Sequence, residues 1–227
     1  MSSKTFPSLS LEQTLFDSGA KYVLGIDEVG RGSVAGPVAV GISVIDSAKL
    51  SEPWPTKLRD SKLISEKVRE ELFEPTGLWV SQWAVGMASA KEIDDYGIVW
   101  ALEVSAKRAF DQLTLELDSV MAILDGSHNW LARAPFHVHV QPKADRDCAS
   151  VAAASVLAKV TRDRLMVELA QKVPGYGFEG HKGYASAGHM AAIRELGPSS
   201  EHRVTWLTRI LAGGSEAIGS EPVVQEP

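Results

Sequence analysis

Four acidic positions stand where a fold can bring them together. Asp27 and Glu28 follow the apolar run YVLGI (22–26) inside the stretch GIDEVGRGSVAG. Asp125 ends the run of SVMAILDG (119–126), and Asp145 lies in KAD, just beyond FHVHV (136–140). Each of these runs reads as a β-strand, so the acids sit at strand ends, where open α/β sheets collect their ligands. A cluster of carboxylates is costly unless cations neutralise it, and hard Mg²⁺ or Mn²⁺ prefers such oxygen ligands. Two ions held this way orient water, stabilise a pentavalent phosphate and relieve charge on the leaving oxygen. The chemistry this pattern suits is phosphodiester hydrolysis.

Locally each acid has an ordinary alternative as a turn, cap or solvated residue. Convergence carries the expectation, not any single side chain. Neighbouring side chains on a strand point opposite ways, so Asp27 and Glu28 both ligate only if the strand has ended or two ions lie on either side. Asp147 competes with Asp145 within KADRDC, and spacing does not choose between them. Asp60, Asp94, Asp95 and Asp163 stay open, with Asp163 placed inside the helical VTRDR as a surface ion pair or a support for the site.

The glycine segment between the first two strands is neither a Walker loop nor GxGxxG, since 30–35 read GRGSVA. Gly30 and Gly32 suit close approach of backbone to a nucleotide, with Arg31 contacting phosphate or aligning the turn. In GYGFEGHKGY (175–184), Tyr184 suits stacking on a sugar or base, and His181 and Lys182 suit phosphate contact. Ser61, Lys62, Lys143 and Arg203 extend the same backbone-binding rim. The formal charge of −6 argues against a broadly basic nucleic-acid surface. A local rim remains, because residues 141–203 hold nine Lys or Arg against seven Asp or Glu.

The elements that must position these groups follow from periodicity. PVAVGISVI (37–45) reads as a second strand, antiparallel to the first, and LWVSQWAVG (78–86) as another. Ser65 caps a helix over 66–74 that Pro75 and Gly77 end, and a second helix runs from Asp94-Asp95 to about Leu113. Residues 149–171 form a long helix whose small residues suit tight packing on the sheet, with shorter helices over 185–196 and 203–212. The organisation expected is a leader (1–20), one mixed α/β domain with a helical C-terminal cap (21–212) and a flexible acidic tail (213–227). The single cysteine, Cys148, excludes an internal disulfide and a cysteine-rich metal site. The N-terminus lacks a secretory apolar core and no run approaches ~18 apolar residues, so a cytoplasmic location is expected.

Several motifs in order, GIDEVGRGSVAGPV, LRDSKLI, ILDG, KAD, AAASVLAKVTRDR and YGFEGHKGY, resemble bacterial ribonuclease H type 2, or RNase HII, from about Tyr22 to Arg203. The resemblance implies an RNase H-like mixed sheet and Mg²⁺- or Mn²⁺-dependent cleavage of RNA in RNA/DNA hybrids. It also implies incision of duplex DNA at embedded ribonucleotides, leaving a 3′-hydroxyl and a 5′-phosphate. The family's four catalytic carboxylates match Asp27, Glu28, Asp125 and Asp145, which favours Asp145 over Asp147. Its GRG loop, which recognises the ribose 2′-hydroxyl, matches Gly30, Arg31 and Gly32. Its junction-stacking tyrosine matches Tyr184. Two ions are expected in the substrate complex, where the substrate phosphate helps complete the metal site. A monomer is expected. Arg31 distinguishes the chain from the sister RNase HIII type, whose loop resembles GTG. The stretch HRVTW (202–206) departs from the HRRSF of many relatives. On chemistry alone, a DNA resolvase or a non-catalytic hybrid-binding module stays open.

Overall fold

The computed structural model describes residues 6–116 and 119–211. In chain order its principal elements are α1 (Ser10–Asp17), β1 (Tyr22–Val29), β2 (Val38–Asp46), α2 (Glu66–Trp79), β3 (Gln82–Ala88), α3 (Ala90–Tyr96), α4 (Ile98–Phe110), β4 (Val120–Asp125), β5 (His137–Gln141), α5 (Ala144–Asp147), α6 (Ala149–Lys172), α7 (Phe178–His181), α8 (Ala187–Leu196) and α9 (Val204–Leu211). The five strands form one mixed sheet in the order β3-β2-β1-β4-β5. β1, β2 and β3 pair antiparallel, while β4 and β5 join β1 in parallel. This is the mixed α/β, RNase H-like architecture that the motifs imply.

Strand alternation explains the two layers. Val23, Ile45 and Ile123 face a cluster containing Val151, Ala152, Val156 and Leu157 of α6, with α1 and α2 behind it. Leu24, Ile26, Ile42 and Leu124 face the opposite cluster, built on Ala101, Leu102 and Ala106 of α4. The small residues of α6 allow close approach: a Cβ at Gly41 would lie 2.6 Å from the carbonyl oxygen of Ala154. Gly41 also pairs with Asp27 in the β1–β2 register, so no side chain stands across from that carboxylate. A third cluster joins Val34 and Ala35 of the β1–β2 loop to Met166, Phe178, Ile193 and Leu207. The C-terminal helices are thereby packed directly onto the loop that carries the GRG sequence.

Three local expectations are corrected. Residues 10–17 of the expected leader are a helix, docked through Leu15 and the buried Glu12, whose Oε1 accepts hydrogen bonds from Ser150 N (2.9 Å) and Ser150 Oγ (2.8 Å) at the start of α6. α2 runs through Pro75 to Trp79, because Leu72, Thr76 and Trp79 bury one face; tertiary packing outweighs the hydrogen bond that proline removes. β3 consequently starts at Gln82. The helix expected over 94–113 is two helices. Ser89 and Glu92 form a capping box that starts α3 earlier, and Gly97, at φ 84°, ends it before α4 begins. The tail expected over 213–227 lies outside the described residues. Among the described residues no helix is long and apolar enough to cross a membrane.

Candidate active site

Parallel pairing of β1 and β4 ends with Ile26 opposite Leu124, so Asp27 and Asp125 follow together, one residue past the last pair. Asp145 reaches the same edge from α5, and the connection is direct: Ala144 N donates to Asp125 Oδ1 at 2.7 Å. Burial separates the two candidates in KADRDC. Asp145 is 3% exposed, whereas Asp147 is at the surface and accepts from Gln141 Nε2 at 3.3 Å.

The electrostatics show that the acids share one field. Burial raises the Asp27 carboxyl well above the ordinary range; Lys62 opposes this, and Glu28 and Asp125 add to it. Burial likewise raises Glu28, opposed by Arg31 (Nη1 to Oε1, 3.5 Å) and reinforced by Asp125. Asp145 is pushed up to about 7, by burial first and then by Asp125 and Asp60. Lys62 is the counter-charge, with Nζ 3.6 Å from Asp145 Oδ2. Burial alone lowers its pKa, but Asp27, Asp145, Asp60 and Asp125 together outweigh that and raise it.

Asp27 Oδ2 and Glu28 Oε2 are buried oxygens with no hydrogen-bond partner. Unpartnered carboxylate oxygens in a repulsive cluster are the donor set that a hard divalent cation satisfies. β1 continues to Val29, so Asp27 and Glu28 project to opposite sides, and only the arrangement with ions on either side remains open. Accordingly, among the described residues no three carboxylate, imidazole or thiol groups are drawn into one finished cage. The two unpartnered oxygens are chemically suited to a hard divalent cation.

Beside the acids lies a cleft of about 180 Å³ lined by Glu28, Gly30, Arg31, Gly32, Ser61, Lys62, Lys159 and Tyr184. Gly30 is required at its place: φ is 80°, and a Cβ would strike the Arg162 guanidinium. Asp60 shapes the adjoining wall by accepting from Lys62 N (2.8 Å) and Arg146 Nε (3.2 Å). Ser61 is held by Ser155 Oγ, which donates to its hydroxyl at 2.9 Å. Tyr184 is 39% exposed, with Lys159 Nζ 5.7 Å from its ring centroid.

Lys159 lies inside the helical motif AKVTRDR, and only its place in the lining of the cleft singles it out. Asp163 holds it, accepting from Nζ at 2.7 Å one turn along α6, which is the ion-pair reading of Asp163 within the helix.

Four rim candidates stand elsewhere. Lys143 is exposed on the turn before α5, at φ 63°. His181, Lys182 and Arg203 turn inward instead of lining the cleft. His181 Nε2 meets Tyr176 O at 2.8 Å, and its Nδ1 accepts from Gly183 N at 3.2 Å. Lys182 is buried, with Nζ 3.2 Å from Glu66 Oε1 and bonded to Glu179 O. Arg203 is fully buried on backbone carbonyls. Arg203 turns inward to carbonyls 167 or more residues earlier, which its own neighbours in sequence do not reveal. Asp94 caps α9 where it starts within HRVTW, accepting from Val204 N (2.7 Å) and Thr205 N (3.1 Å).

A family profile described as Ribonuclease HII matches residues 24–209, spanning both the acidic edge and the cleft. The chain belongs to the ribonuclease HII family. It is 44% identical over 201 residues to Ribonuclease HII of Streptomyces coelicolor, covering 88% of this chain and 83% of that one. It is 38% identical over 215 residues to Ribonuclease HII of Caulobacter vibrioides, covering 95% and 97%. The ribonuclease H2 of Pyrococcus horikoshii OT3 superposes with a TM-score of 0.68 at 28% identity, over 84% of this chain and 96% of that one. Membership of the ribonuclease HII family makes the chain an endoribonuclease acting on RNA/DNA hybrids.

Proposed function

We propose that the enzyme also incises duplex DNA 5′ to an embedded ribonucleotide, leaving a 3′-hydroxyl and a 5′-phosphate, with Asp27, Glu28, Asp125 and Asp145 holding divalent cations. The observation that carries this reading is the cleft in which the GRG segment, Lys62, Lys159 and Tyr184 adjoin Glu28, whose Oε2, like Oδ2 of the preceding Asp27, is buried without a partner. Mg²⁺ or Mn²⁺, when bound, supplies Lewis acidity and charge neutralisation at the scissile phosphate. Lys62, Lys159 and Arg31, which line the cleft, grip the backbone phosphates. Gly30 and Gly32 let the ribose approach the main chain, where a 2′-hydroxyl is distinguishable from hydrogen. Tyr184 presents its ring for stacking on the neighbouring sugar and thereby marks the RNA–DNA junction.

The test uses an end-labelled DNA duplex carrying one ribonucleotide beside an all-DNA control. Cleavage at the 5′ side of the ribonucleotide, dependent on added metal and abolished by Asp27→Asn in a folded protein, is expected. Equal cutting of the all-DNA duplex sinks the reading.

A further inference from the structure

Two fully buried arginines stand behind the GRG segment with no carboxylate among their hydrogen-bond partners. Arg203 donates from Nη2 to Gly30 O (2.7 Å) and Gly36 O (3.1 Å), from Nη1 to Arg31 O (2.8 Å) and from Nε to Gly36 O (3.2 Å). Arg162 donates to Pro37 O (2.8 Å), Ser33 Oγ (3.0 Å) and Ala35 O (3.3 Å), and to Lys182 O (3.0 Å) in the segment leading to Tyr184. A buried cation without an anion is expensive, and a planar fork filled by carbonyls is the arrangement that offsets it.

The consequence lies in the peptide planes. The described residues contain no cis peptide bond, so each carbonyl points opposite to the N–H of the next residue. With the carbonyls of Gly30 and Arg31 drawn inward to Arg203, the N–H groups of Arg31 and Gly32 are turned the other way, toward the cleft that these residues line. The following N–H groups are committed elsewhere: Ser33 to Gly30 O, Val34 and Ala35 to Gly183 O, and Gly36 to Glu201 O. Among the described residues, no acceptor within the protein meets the N–H of Arg31 or Gly32.

We propose that Arg203 is a positioning residue for ribonucleotide selection, pinning the Gly30 and Arg31 carbonyls so that the Arg31 and Gly32 N–H groups are presented as paired donors to the ribose 2′-hydroxyl oxygen. The proposal rests on the reading that this loop receives the ribonucleotide. A deoxyribose offers no oxygen there and leaves the donors unpaired, which is how a hydrogen-bonding site rejects an analogue lacking the group. A lysine at 203 can reach one carbonyl but cannot fix two successive peptide planes.

The experiment measures binding by fluorescence anisotropy in an Asp27→Asn background, where cleavage is blocked. The ratio of affinities for a single-ribonucleotide duplex and its all-DNA counterpart is compared with and without Arg203→Lys. Loss of one net hydrogen bond predicts a fall of about tenfold in that ratio, with all-DNA binding little changed. Independently of any variant at 203, the Arg31 and Gly32 amide resonances of the Asp27→Asn protein should shift with the ribonucleotide duplex and not with the all-DNA duplex. An unchanged ratio in a cooperatively folded Arg203→Lys protein overturns the proposal. So do Arg31 and Gly32 amides that respond alike to both duplexes, an outcome that can be read even if Arg203→Lys does not fold. The reading of the loop fails differently: the Asp27→Asn protein would then show no preference for the ribonucleotide duplex at all.

Discussion

Replacing Asp145 by Asn should abolish cleavage and, in the absence of metal, make the protein more stable. Its carboxyl titrates near 7 in the fold against an ordinary value of 3.8, because of burial and then of Asp125 and Asp60. A folded-state value above the unfolded one means that the fold binds the proton more tightly. The stability this contributes is fully present below 3.8 and is lost as pH rises through about 7. The interval of ~3 pH units corresponds to at most ~4 kcal/mol at pH 8. Solvent in the open cleft screens part of that field, leaving ~2 kcal/mol as the working figure.

Asn removes the charge while nearly keeping the shape, so it recovers that amount. For a domain of this size the gain corresponds to a rise in Tm of about 4–8 °C. The assay is thermal and urea unfolding of both proteins in chelator at pH 8 and pH 5, repeated with Mg²⁺. At pH 5 the gain should be smaller but not lost, since the wild-type carboxyl is then protonated in the fold while the unfolded chain, with its value of 3.8, still ionises. Mg²⁺ should stabilise the wild type more than the variant, because a ligand that binds the folded state shifts unfolding by mass action. An Asp145→Asn protein no more stable than wild type at pH 8 in chelator would refute the reasoning. A gain of equal size at both pH values would assign it to packing rather than charge.

Three further outcomes follow from the same contacts. Lys159→Met should weaken binding of duplexes of any sequence and lower the slope of log affinity against log salt by about 1, since Lys159 supplies a charge to the cleft and no base contact; an unchanged slope argues against phosphate contact. Glu12→Ala removes the acceptor for Ser150 N and Oγ at the start of α6 and should cost ~2 kcal/mol in urea unfolding, with Glu12→Gln losing less; a neutral alanine variant would show that α1 does not cap α6. His202 is pushed down to about 4 by burial and then by His189, so folding stability should fall as pH drops from about 6.5 toward 4. His202→Gln should flatten that decline, and an unaltered profile would place the responsible proton elsewhere.

The acidic edge was legible because strand periodicity and the positions of Asp27 and Asp125 are both local properties of the chain. The parallel β1–β4 register then places them side by side without further assumption. Asp145 against Asp147 was not legible from spacing, since the choice depends on which side of a four-residue helix is buried. The same limit hid α1: SLEQTLFD looks like a polar leader until its one buried acid meets Ser150, 138 residues away. Pro75 read as a helix end because its local cost is certain, whereas the burial of Trp79 that offsets it is a tertiary event. Arg203 read as a rim cation because the carbonyls that claim it lie 167 or more residues earlier.

The placement of charge explains how a chain of net charge −6 can hold a polyanion. Lys62, Lys159 and Arg31 face the cleft, while Asp27, Glu28, Asp125 and Asp145 gather along its edge. A phosphate brought to the lysines is also brought toward carboxylates that repel it, and a cation brought to the carboxylates meets Lys62 already among them. Neither ligand gains the full field of the site alone. A phosphate that supplies oxygen to the cation, and a cation that cancels the repulsion of the phosphate, each raise the other's affinity, and linkage requires the two factors to be equal. In the proposed assignment, the unpartnered oxygens of Asp27 and Glu28 would couple metal binding to the presence of a nucleic-acid backbone: a cage completed by protein atoms alone would bind its ions with or without substrate.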